Sequence, residues 1–324
     1  MTVLSHTMTG IEERTSPSTT VGLVGCGAWG SLILRDLKAL GCSVPVVARS
    51  AASVERARIG GASIVVSDLE AMPPCDGFVV ATTATTHASV IEQLLDRNVP
   101  VFVEKPLCDR FEDALSFLQR AGDRLFVMDK WRYHNGIRLI AAMIRNGDVG
   151  EVTAITTRRV GWGNHHPDVD ILSTYLPHDL AIMLELIGSI PPLTGASFES
   201  IDGHITGASV RLGGEPTVNM EFSAVAATTH RELRVIGTRG CLVMGGGYAE
   251  EVLWSRGRPT GNPERVPFET NMPLFDELRA FVEHLGGGPP PMSNLDDAVA
   301  QMRIIDDVHT LAARQVPGVR FGGW

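Results

Sequence analysis

The first 130 residues alternate between short runs of consecutive apolar residues and longer stretches in which apolar residues recur every three or four positions. Short valine-rich runs are typical of strands buried on both faces, and the longer spacing is typical of amphipathic helices. Strands separated by helices form βαβ units with right-handed crossovers. The pattern therefore predicts an α/β Rossmann fold with a doubly wound parallel sheet. The predicted strands cover residues 21–25, 44–48, 63–67, 77–82, 99–104 and 124–128.

Beyond about residue 150 the predicted strands follow one another, and glycines separate them. Consecutive strands joined by glycine-bearing turns are typical of hairpins, so we predict an α+β domain with a mostly antiparallel open sheet. One helix interrupts these strands and ends at Gly188, and two helices close the chain. The second of these begins at the capping signal Ser293-x-x-Asp296. The predicted strands cover residues 151–160, 197–201, 208–212, 217–225, 232–236, 241–244 and 251–254.

These two patterns divide the 324 residues into a tail and two domains. Residues 1–19 lack an apolar core and are predicted to be a flexible tail rather than a signal peptide. Residues 20–133 form the predicted dinucleotide-binding domain, and residues 134–324 form the predicted substrate and oligomerisation domain. We expect the last helix, residues 294–314, to pack back on the first domain.

Composition excludes several classes of function. The net charge of −9 disfavours nucleic acid as a partner, and no apolar run reaches the roughly 20 residues of a membrane span. Five scattered cysteines indicate a reducing compartment without a disulfide framework, so we expect a cytoplasmic protein. No Cys/His cluster has the spacing of metal ligands, and we predict no metal site.

A glycine-rich turn follows the first predicted strand. The residues Gly25-Cys26-Gly27-Ala28-Trp29-Gly30 match Gly-x-Gly-x-x-Gly, and a helical pattern follows them directly. In this context the glycines allow a tight turn and a close approach of backbone N–H groups to a pyrophosphate. The N-terminus of the helix adds a favourable field for the anion. The turn therefore predicts dinucleotide binding through Gly25, Gly27, Ala28, Trp29 and Gly30.

Two further motifs come at the carboxyl ends of later strands, where ligands bind in such sheets. The turn of residues 82–87 carries Thr82, Thr83, Thr85 and His87, and its small residues allow close approach to a ribose or nicotinamide. One strand later the chain reads Glu104-Lys105-Pro106. We expect these two segments to lie beside the cofactor.

Together these motifs resemble the Gfo/Idh/MocA oxidoreductase family, whose members act mostly on sugars and cyclitols with NAD(P). The resemblance covers nearly the whole chain after residue 20. Besides the motifs above it comprises three segments, namely residues 131–133, 176–179 and 236–240. The Glu-Lys-Pro motif one strand after the Thr/His turn is fairly specific for this family.

By this resemblance Lys105 and His178 are the catalytic residues. A desolvated ammonium group beside a cationic nicotinamide has a lowered pKa, so Lys105 could hydrogen-bond the reacting oxygen and move its proton. Histidine titrates near neutral pH and suits the same task. We expect His178 to lie near the start of a helix, directly after Pro177.

The substrate contacts are harder to predict. Many family members carry an aspartate four residues before the histidine, but this chain has Thr174 there, with Tyr175 beside it. The polar, glycine-bearing loop of residues 161–168 is typical of a substrate loop. Our candidates for substrate binding are Arg132, Trp162, Asn164, His165, Thr174, Tyr175 and Asp179.

The end of the second predicted strand bears on cofactor choice. NAD-selective folds place an acid about 20 residues past the glycine turn, where it binds the ribose 2′-hydroxyl. Here Arg49 and Ser50 stand in that region, and they suit a 2′-phosphate. We therefore predict a preference for NADP(H), with NAD(H) as the alternative.

The sequence thus predicts an NAD(P)-dependent enzyme that transfers a hydride to or from a hydroxyl or keto carbon of a sugar, a sugar derivative or a nucleotide-sugar. Three alternatives use the same scaffold: a cofactor-assisted glycoside-cleaving enzyme, a biliverdin-reductase-like enzyme and a non-catalytic NADP-binding sensor. The resemblance also implies a homodimer or homotetramer formed through the open sheet face.

Overall fold

The first half of the chain folds into a six-stranded parallel sheet. The computed structural model describes residues 19–164, 168–257 and 262–322. The strand order is β3-β2-β1-β4-β5-β6, the order of a Rossmann fold, so the predicted doubly wound sheet is confirmed. The strands are β1 (Val21–Val24), β2 (Pro45–Val47), β3 (Ile64–Val66), β4 (Gly77–Val80), β5 (Val101–Glu104) and β6 (Leu125–Met128).

Helices pack on this sheet through the apolar positions that the periodicity identifies. In the first helix Ile33, Leu34 and Leu37 are fully buried, and each such side chain contributes about 1.5–3 kcal/mol by leaving water. A short 3-10 helix, Lys130–Tyr133, follows the sheet and leads into the second domain. The helices of this half are α1 (Ala28–Ala39), α2 (Ala51–Ile59), α3 (Ala84–Leu95), α4 (Phe111–Arg120) and α5 (Asn135–Arg145).

The second half contains an eight-stranded sheet in the order β14-β13-β12-β11-β7-β10-β9-β8. Its neighbours pair antiparallel except for β7 and β10, so the predicted mostly antiparallel sheet is confirmed. Sequence patterning missed β14, a four-residue, largely exposed edge strand without an apolar face. The strands are β7 (Val152–Trp162), β8 (Leu193–Ile201), β9 (His204–Leu212), β10 (Thr217–Ser223), β11 (Val225–Gly237), β12 (Gly240–Gly245), β13 (Glu251–Arg256) and β14 (Glu264–Pro267).

The helix between β7 and β8, α6 (Ile171–Ile187), is buried on nearly all sides. It begins at Asp170, whose carboxylate accepts hydrogen bonds from two backbone N–H groups of the first turn. It ends at Gly188, which adopts the left-handed conformation expected of a helix stop. The prediction that His178 lies near the helix start is wrong, because the helix begins seven residues earlier and His178 occupies its middle.

The two closing helices, α7 (Pro273–Leu285) and α8 (Leu295–Gln315), both return to the first sheet. On α7, Phe281 stacks on Phe102 of β5 with ring centroids 5.0 Å apart. Helix α8 contacts α4 and β6 of the first half and α6 and β8 of the second half. Its cap is Asn294, whose side chain accepts a hydrogen bond from the Asp297 N–H, and not the predicted Ser293.

The described residues bear on the predicted tail, on membrane spans and on metal sites. The carbonyl of Thr19 accepts a hydrogen bond from the Ser43 N–H, so at least this residue of the predicted tail is tied to the fold. Residues 1–18 lie outside the described ranges. Within those ranges, no helix is both long and apolar enough to cross a membrane, and no three His, Cys, Asp or Glu side chains are grouped as metal ligands.

Candidate functional site

A cavity of about 840 Å³ lies at the carboxyl ends of the parallel strands. One wall consists of the turns that follow β1, β2, β4 and β5, and the opposite wall consists of α6, β7 and β11. Ligands of open α/β sheets bind at this edge, where the strand order reverses beside β1. The sequence motifs from residues 25–30, 82–87 and 104–105 therefore meet at one place.

The glycine turn opens the cavity at one end, and each glycine has a different role. Gly25 has a φ of +95°, and a Cβ there would lie 2.6 Å from the Ala81 carbonyl oxygen. A Cβ on Gly30 would lie 2.3 Å from the Gly25 carbonyl oxygen. In contrast, a Cβ on Gly27 would meet no atom within 4 Å. Gly25 and Gly30 thus allow the turn itself, whereas Gly27 leaves space on the side of the cavity.

This space fits the pyrophosphate of a dinucleotide. Gly27 is the N-cap of α1, and no side chain caps the helix. The first N–H groups of α1 therefore lack a side-chain partner, and together with the helix dipole they favour an anion. The residues present fit a dinucleotide at this end of the cavity, with Gly25, Gly27, Ala28, Trp29 and Gly30 lining it.

Arg49 and Ser50 line the same end of the cavity, next to the N-terminus of α2. The Arg49 Nε donates to the Ser67 carbonyl at 3.2 Å, so the guanidinium is held at the tip of β2. The Ser50 hydroxyl already caps α2 by accepting from the Ser53 N–H at 3.1 Å. A ligand phosphate would therefore meet Arg49 more freely than the hydroxyl of Ser50.

The turn after β4 lines the middle of the cavity. Thr82, Thr83 and Thr86 line it, whereas the predicted Thr85 does not. The two ring nitrogens of the buried His87 lie 2.9 Å from the Pro106 carbonyl oxygen and 3.2 Å from the Thr82 carbonyl oxygen. Burial lowers the pKa of His87, and the two carbonyl groups oppose this shift. His87 thus fastens the turn after β4 to the segment that carries Lys105.

Lys105 lies at the end of β5, half-buried in the cavity wall. Burial lowers its pKa to about 8, and the charges of Lys130 and Arg159 act in the same direction. The carboxylate of Glu104 opposes this shift. Glu104 is itself fixed, because it accepts hydrogen bonds from the Trp29 indole and from the Lys105 backbone N–H. An amine with a pKa near 8 exists in both protonation states at neutral to mildly basic pH.

His178 reaches the cavity from α6, on the wall opposite the glycine turn. Burial lowers its pKa well below the usual value, and the charges of Lys105, Arg159, Lys130 and Arg231 lower it further. Its ring lies edge-on to Trp131, with centroids 6.3 Å apart. His178 and Lys105 thus line one cavity and interact electrostatically. The imidazole is neutral at physiological pH.

Thr174 and Tyr175, one helical turn before His178, also line the cavity, but their hydroxyls are engaged. The Thr174 hydroxyl lies 3.1 Å from the Asn164 amide oxygen and 3.0 Å from the Asp170 carbonyl. The Tyr175 hydroxyl donates to the Gly163 carbonyl at 3.2 Å. These two residues therefore hold the loop before α6 against the helix while their side chains border the cavity.

The structure does not bring four of the predicted substrate residues to the cavity. Arg132 donates to Asp297 at 2.7 Å and so ties the 3-10 helix to α8. Trp162 is 73% exposed at the end of β7. Asn164 donates to the Val169 carbonyl and organises the loop. Asp179 is buried behind the cavity wall, and His165 lies outside the described residues.

Sequence reasoning missed a set of charged and aromatic residues that line the cavity beyond Lys105. The Lys130 ammonium lies over the Trp29 ring, 4.5 Å from its centroid, and Arg159 lies 5.0 Å from the Trp131 centroid. Glu277 of α7 is buried, and burial together with the Glu104 charge raises its pKa well above the usual value. Trp131 and Asp168 lie in two segments that the sequence had singled out, residues 131–133 and 161–168, but neither residue was predicted to belong to the site. The missed residues are Lys130, Trp131, Arg159, Asp168, Arg231 and Glu277.

A Rossmann sheet whose glycine turn leads into a cavity with a lysine and a histidine defines a dinucleotide-dependent oxidoreductase. Residues 19–127 match the model of the Gfo/Idh/MocA family, described as an oxidoreductase family with an NAD-binding Rossmann fold. The match covers the parallel sheet and its helices α1 to α4.

Relatives and solved structures are similar to this chain over most of its length. The chain is 27% identical over 300 residues to a myo-inositol dehydrogenase of Streptomyces leeuwenhoekii, a match that covers 83% of this chain and 89% of the relative. A UDP-N-acetylglucosamine 3-dehydrogenase from Acidithiobacillus ferrooxidans has a similar structure, with a TM-score of 0.79, 17% identity and coverage of 91% and 97%. A levoglucosan dehydrogenase in complex with NADH and levoglucosan has a TM-score of 0.80, 14% identity and coverage of 93% and 100%.

Proposed function

We propose that this protein is an NAD(P)-dependent dehydrogenase or reductase that acts on a hydroxyl or keto carbon of a sugar, a sugar derivative or a nucleotide-sugar. The observation that carries the proposal is the common cavity of Gly27, Lys105 and His178. Gly27 and the turn of residues 82–87 would hold a dinucleotide in the cavity that Lys105 also lines.

The reaction requires the transfer of a hydride and a proton. When bound, the nicotinamide accepts the hydride from a secondary alcohol, which becomes a ketone, or donates it in the reverse direction. Lys105 has a pKa of about 8, so its neutral amine can take the hydroxyl proton, and its ammonium can return it to the ketone oxygen. His178 is neutral, so it can accept a hydrogen bond from the substrate hydroxyl without adding positive charge.

The names of two relatives support this class of substrate. The Streptomyces relative is named for an inositol. A D-apiose dehydrogenase of Paraburkholderia graminis is 28% identical over 138 residues, or 40% of this chain. Both names denote small molecules with several hydroxyl groups, a cyclitol and a sugar. The cavity also presents several hydrogen-bonding side chains around Lys105, as recognition of a hydroxylated substrate requires.

NADP(H) is the proposed cofactor within this class. Support comes from Arg49, whose guanidinium is held at the tip of β2, and from the adjacent N-terminus of α2. Both favour a 2′-phosphate over a bare 2′-hydroxyl. NAD(H) is the alternative, and the ratio of kcat/KM for the two cofactors decides between them.

The test is a panel of sugars, sugar acids, cyclitols and nucleotide-sugars, assayed by absorbance of the reduced nicotinamide with wild-type protein and Lys105→Met. We expect wild-type turnover of at least one member, and a loss of about 10²–10⁴-fold in Lys105→Met with cofactor affinity retained. Unchanged turnover in Lys105→Met would overturn the mechanism. Substrate cleavage without net change in the cofactor would indicate the glycoside-cleaving alternative, and cofactor binding without any turnover would indicate the sensor.

A further inference from the structure

We propose that the substrate carries a carboxylate, and that Arg159 and Arg231 bind it on the cavity wall that also carries His178. This inference rests on the proposed function and narrows its substrate class to sugar acids or similarly acidic polyols. The two arginines come from neighbouring strands, β7 and β11, and both line the cavity.

The two arginines are directly opposite each other. The antiparallel register of β7 and β11 pairs Arg159 with Arg231. Directly opposite side chains lie on the same face of a sheet with Cβ atoms about 4.5–5.5 Å apart, and like charges in this arrangement repel each other. The neighbouring Arg158 lies on the other face, where Glu221 neutralises it at 3.2 Å. The repelling pair therefore occurs only on the face that borders the cavity.

The protein neutralises one of these two charges and leaves the other. Asp179 accepts a hydrogen bond of 2.8 Å from Arg159 Nη2. The buried Nε of Arg159 has no hydrogen-bond partner. Arg231 forms no ion pair with any described residue, and the charge of Arg159 together with partial burial lowers its pKa. Two guanidinium groups and one carboxylate leave a single positive charge, which matches one substrate carboxylate.

The lysines of the cavity have carboxylates beside them. The charge of Glu104 acts on both Lys105 and Lys130, and the charge of Glu277 acts on Lys130 as well. A guanidinium pair suits a carboxylate because its N–H groups form a planar fork that matches the two oxygens. Since the charges of Arg231, Arg159 and Lys105 all act on His178, a short substrate can contact the arginines and the catalytic residues together.

The test compares pairs of sugars that differ only in a carboxylate. Cofactor-loaded protein is titrated with D-glucuronate, D-glucose, D-galacturonate, D-galactose and glucose 6-phosphate, and binding is followed by tryptophan fluorescence, since Trp131 lies beneath Arg159. The variants are Arg231→Gln and the matched control Arg158→Gln on the opposite face. Each ligand is also assayed for cofactor reduction, and thermal melting verifies that both variants are folded.

We expect at least one acid to bind more than about tenfold tighter than its neutral partner, a difference lost in Arg231→Gln and kept in Arg158→Gln. Tighter binding of the neutral sugars, absence of acid binding, or equal effects of both variants would overturn the inference. Preference for the sugar phosphate would overturn the assignment of a carboxylate. Arginine-dependent binding of acids without cofactor reduction by any acid or sugar would contradict the proposed function and leave this inference standing.

Discussion

The carboxylate of Asp179 lies 2.8 Å from the guanidinium of Arg159, and both side chains are buried. Asp179 also accepts a hydrogen bond of 2.9 Å from Thr157, the residue two positions earlier on β7. Asp179, the residue next to His178, is therefore engaged within the protein and does not line the cavity. It fixes the arginine that lines the cavity and so determines the charge of the wall around His178.

Replacement of Asp179 by Asn should destabilise the fold by about 2–3 kcal/mol. Loss of one partner leaves a buried charge unpaired, and the cost is below the usual 3–5 kcal/mol for a buried pair because Arg159 borders the cavity. The matched control is Glu221→Gln, which breaks the exposed pair with Arg158 and should cost at most about 1 kcal/mol. Urea unfolding measures both, and equal losses would contradict the structural role of Asp179.

Single substitutions of Gly25 and Gly27 should have different effects on stability and on cofactor binding. Gly27→Ala places its methyl group where no atom of the protein lies within 4 Å, so we expect a stability loss within about 1 kcal/mol and greatly weakened dinucleotide binding. Gly25→Ala combines a positive φ with a contact to the Ala81 carbonyl, so it should cost more than about 2 kcal/mol. Thermal melting and calorimetric titration with the cofactor test this; normal affinity in Gly27→Ala would remove the assigned pyrophosphate site.

The pH dependence of kcat/KM should reflect the protonation state of Lys105. In the proposed mechanism its neutral amine is the proton acceptor, so kcat/KM for alcohol oxidation should rise with pH and level off above about 8, whereas ketone reduction should show the opposite trend. Glu104 raises the pKa of Lys105, so Glu104→Gln should move the midpoint to lower pH. An exposed control, Glu112→Gln on α4, should leave the midpoint unchanged. A midpoint that moves upward in Glu104→Gln would exclude Lys105 as the titrating group.

His178 should contribute to turnover rather than to folding. We expect His178→Gln to lower kcat/KM by about 10²-fold or more, because the proposed mechanism places the neutral imidazole beside the reacting oxygen. Cofactor affinity should stay within about twofold, since the glycine turn lies on the other wall. Steady-state kinetics combined with cofactor titration distinguish the two effects, and a loss confined to cofactor binding would contradict the assigned role.

Cofactor selectivity should depend on Arg49. Arg49→Gln should weaken NADP(H) binding by about tenfold or more and leave NAD(H) binding nearly unchanged, because only the former presents a phosphate there. Arg58→Gln, an exposed substitution on α2 outside the cavity, is the control. Fluorescence titration with both reduced cofactors measures this. Equal weakening of NADPH and NADH would show that Arg49 contacts a part common to both.

The pattern of apolar and polar residues alone predicts most strands and helices. Burial of one face requires apolar residues at the spacing typical of each kind of element. Thr174 and His178, four residues apart, share one face of α6 because the helix begins before both of them. The start of α6 escaped prediction, since the helix is buried on nearly all sides and its first turn lacks a distinct apolar stripe. The assembly into a homodimer or homotetramer remains a prediction.

The residues near Arg132 illustrate why the rest of the site could not be predicted. The 3-10 helix presents Lys130 and Trp131 to the cavity and turns Arg132 toward Asp297 of α8. No local pattern specifies which of three consecutive residues faces a cavity whose other wall lies far away in the sequence. The same applies to Glu277, which reaches the cavity because α7 returns to the first sheet.

The sequence by itself determined the Rossmann sheet, the glycine turn and the position of Lys105, because each depends on residues close together in the chain. Only the tertiary structure decided that Arg159 and Arg231 lie side by side. The two residues are 72 positions apart in the chain, and the register of β7 with β11 brings them together. The packing of the whole sheet determines that register. The charge of the substrate wall is therefore a property of strand pairing, which no single segment of the chain contains.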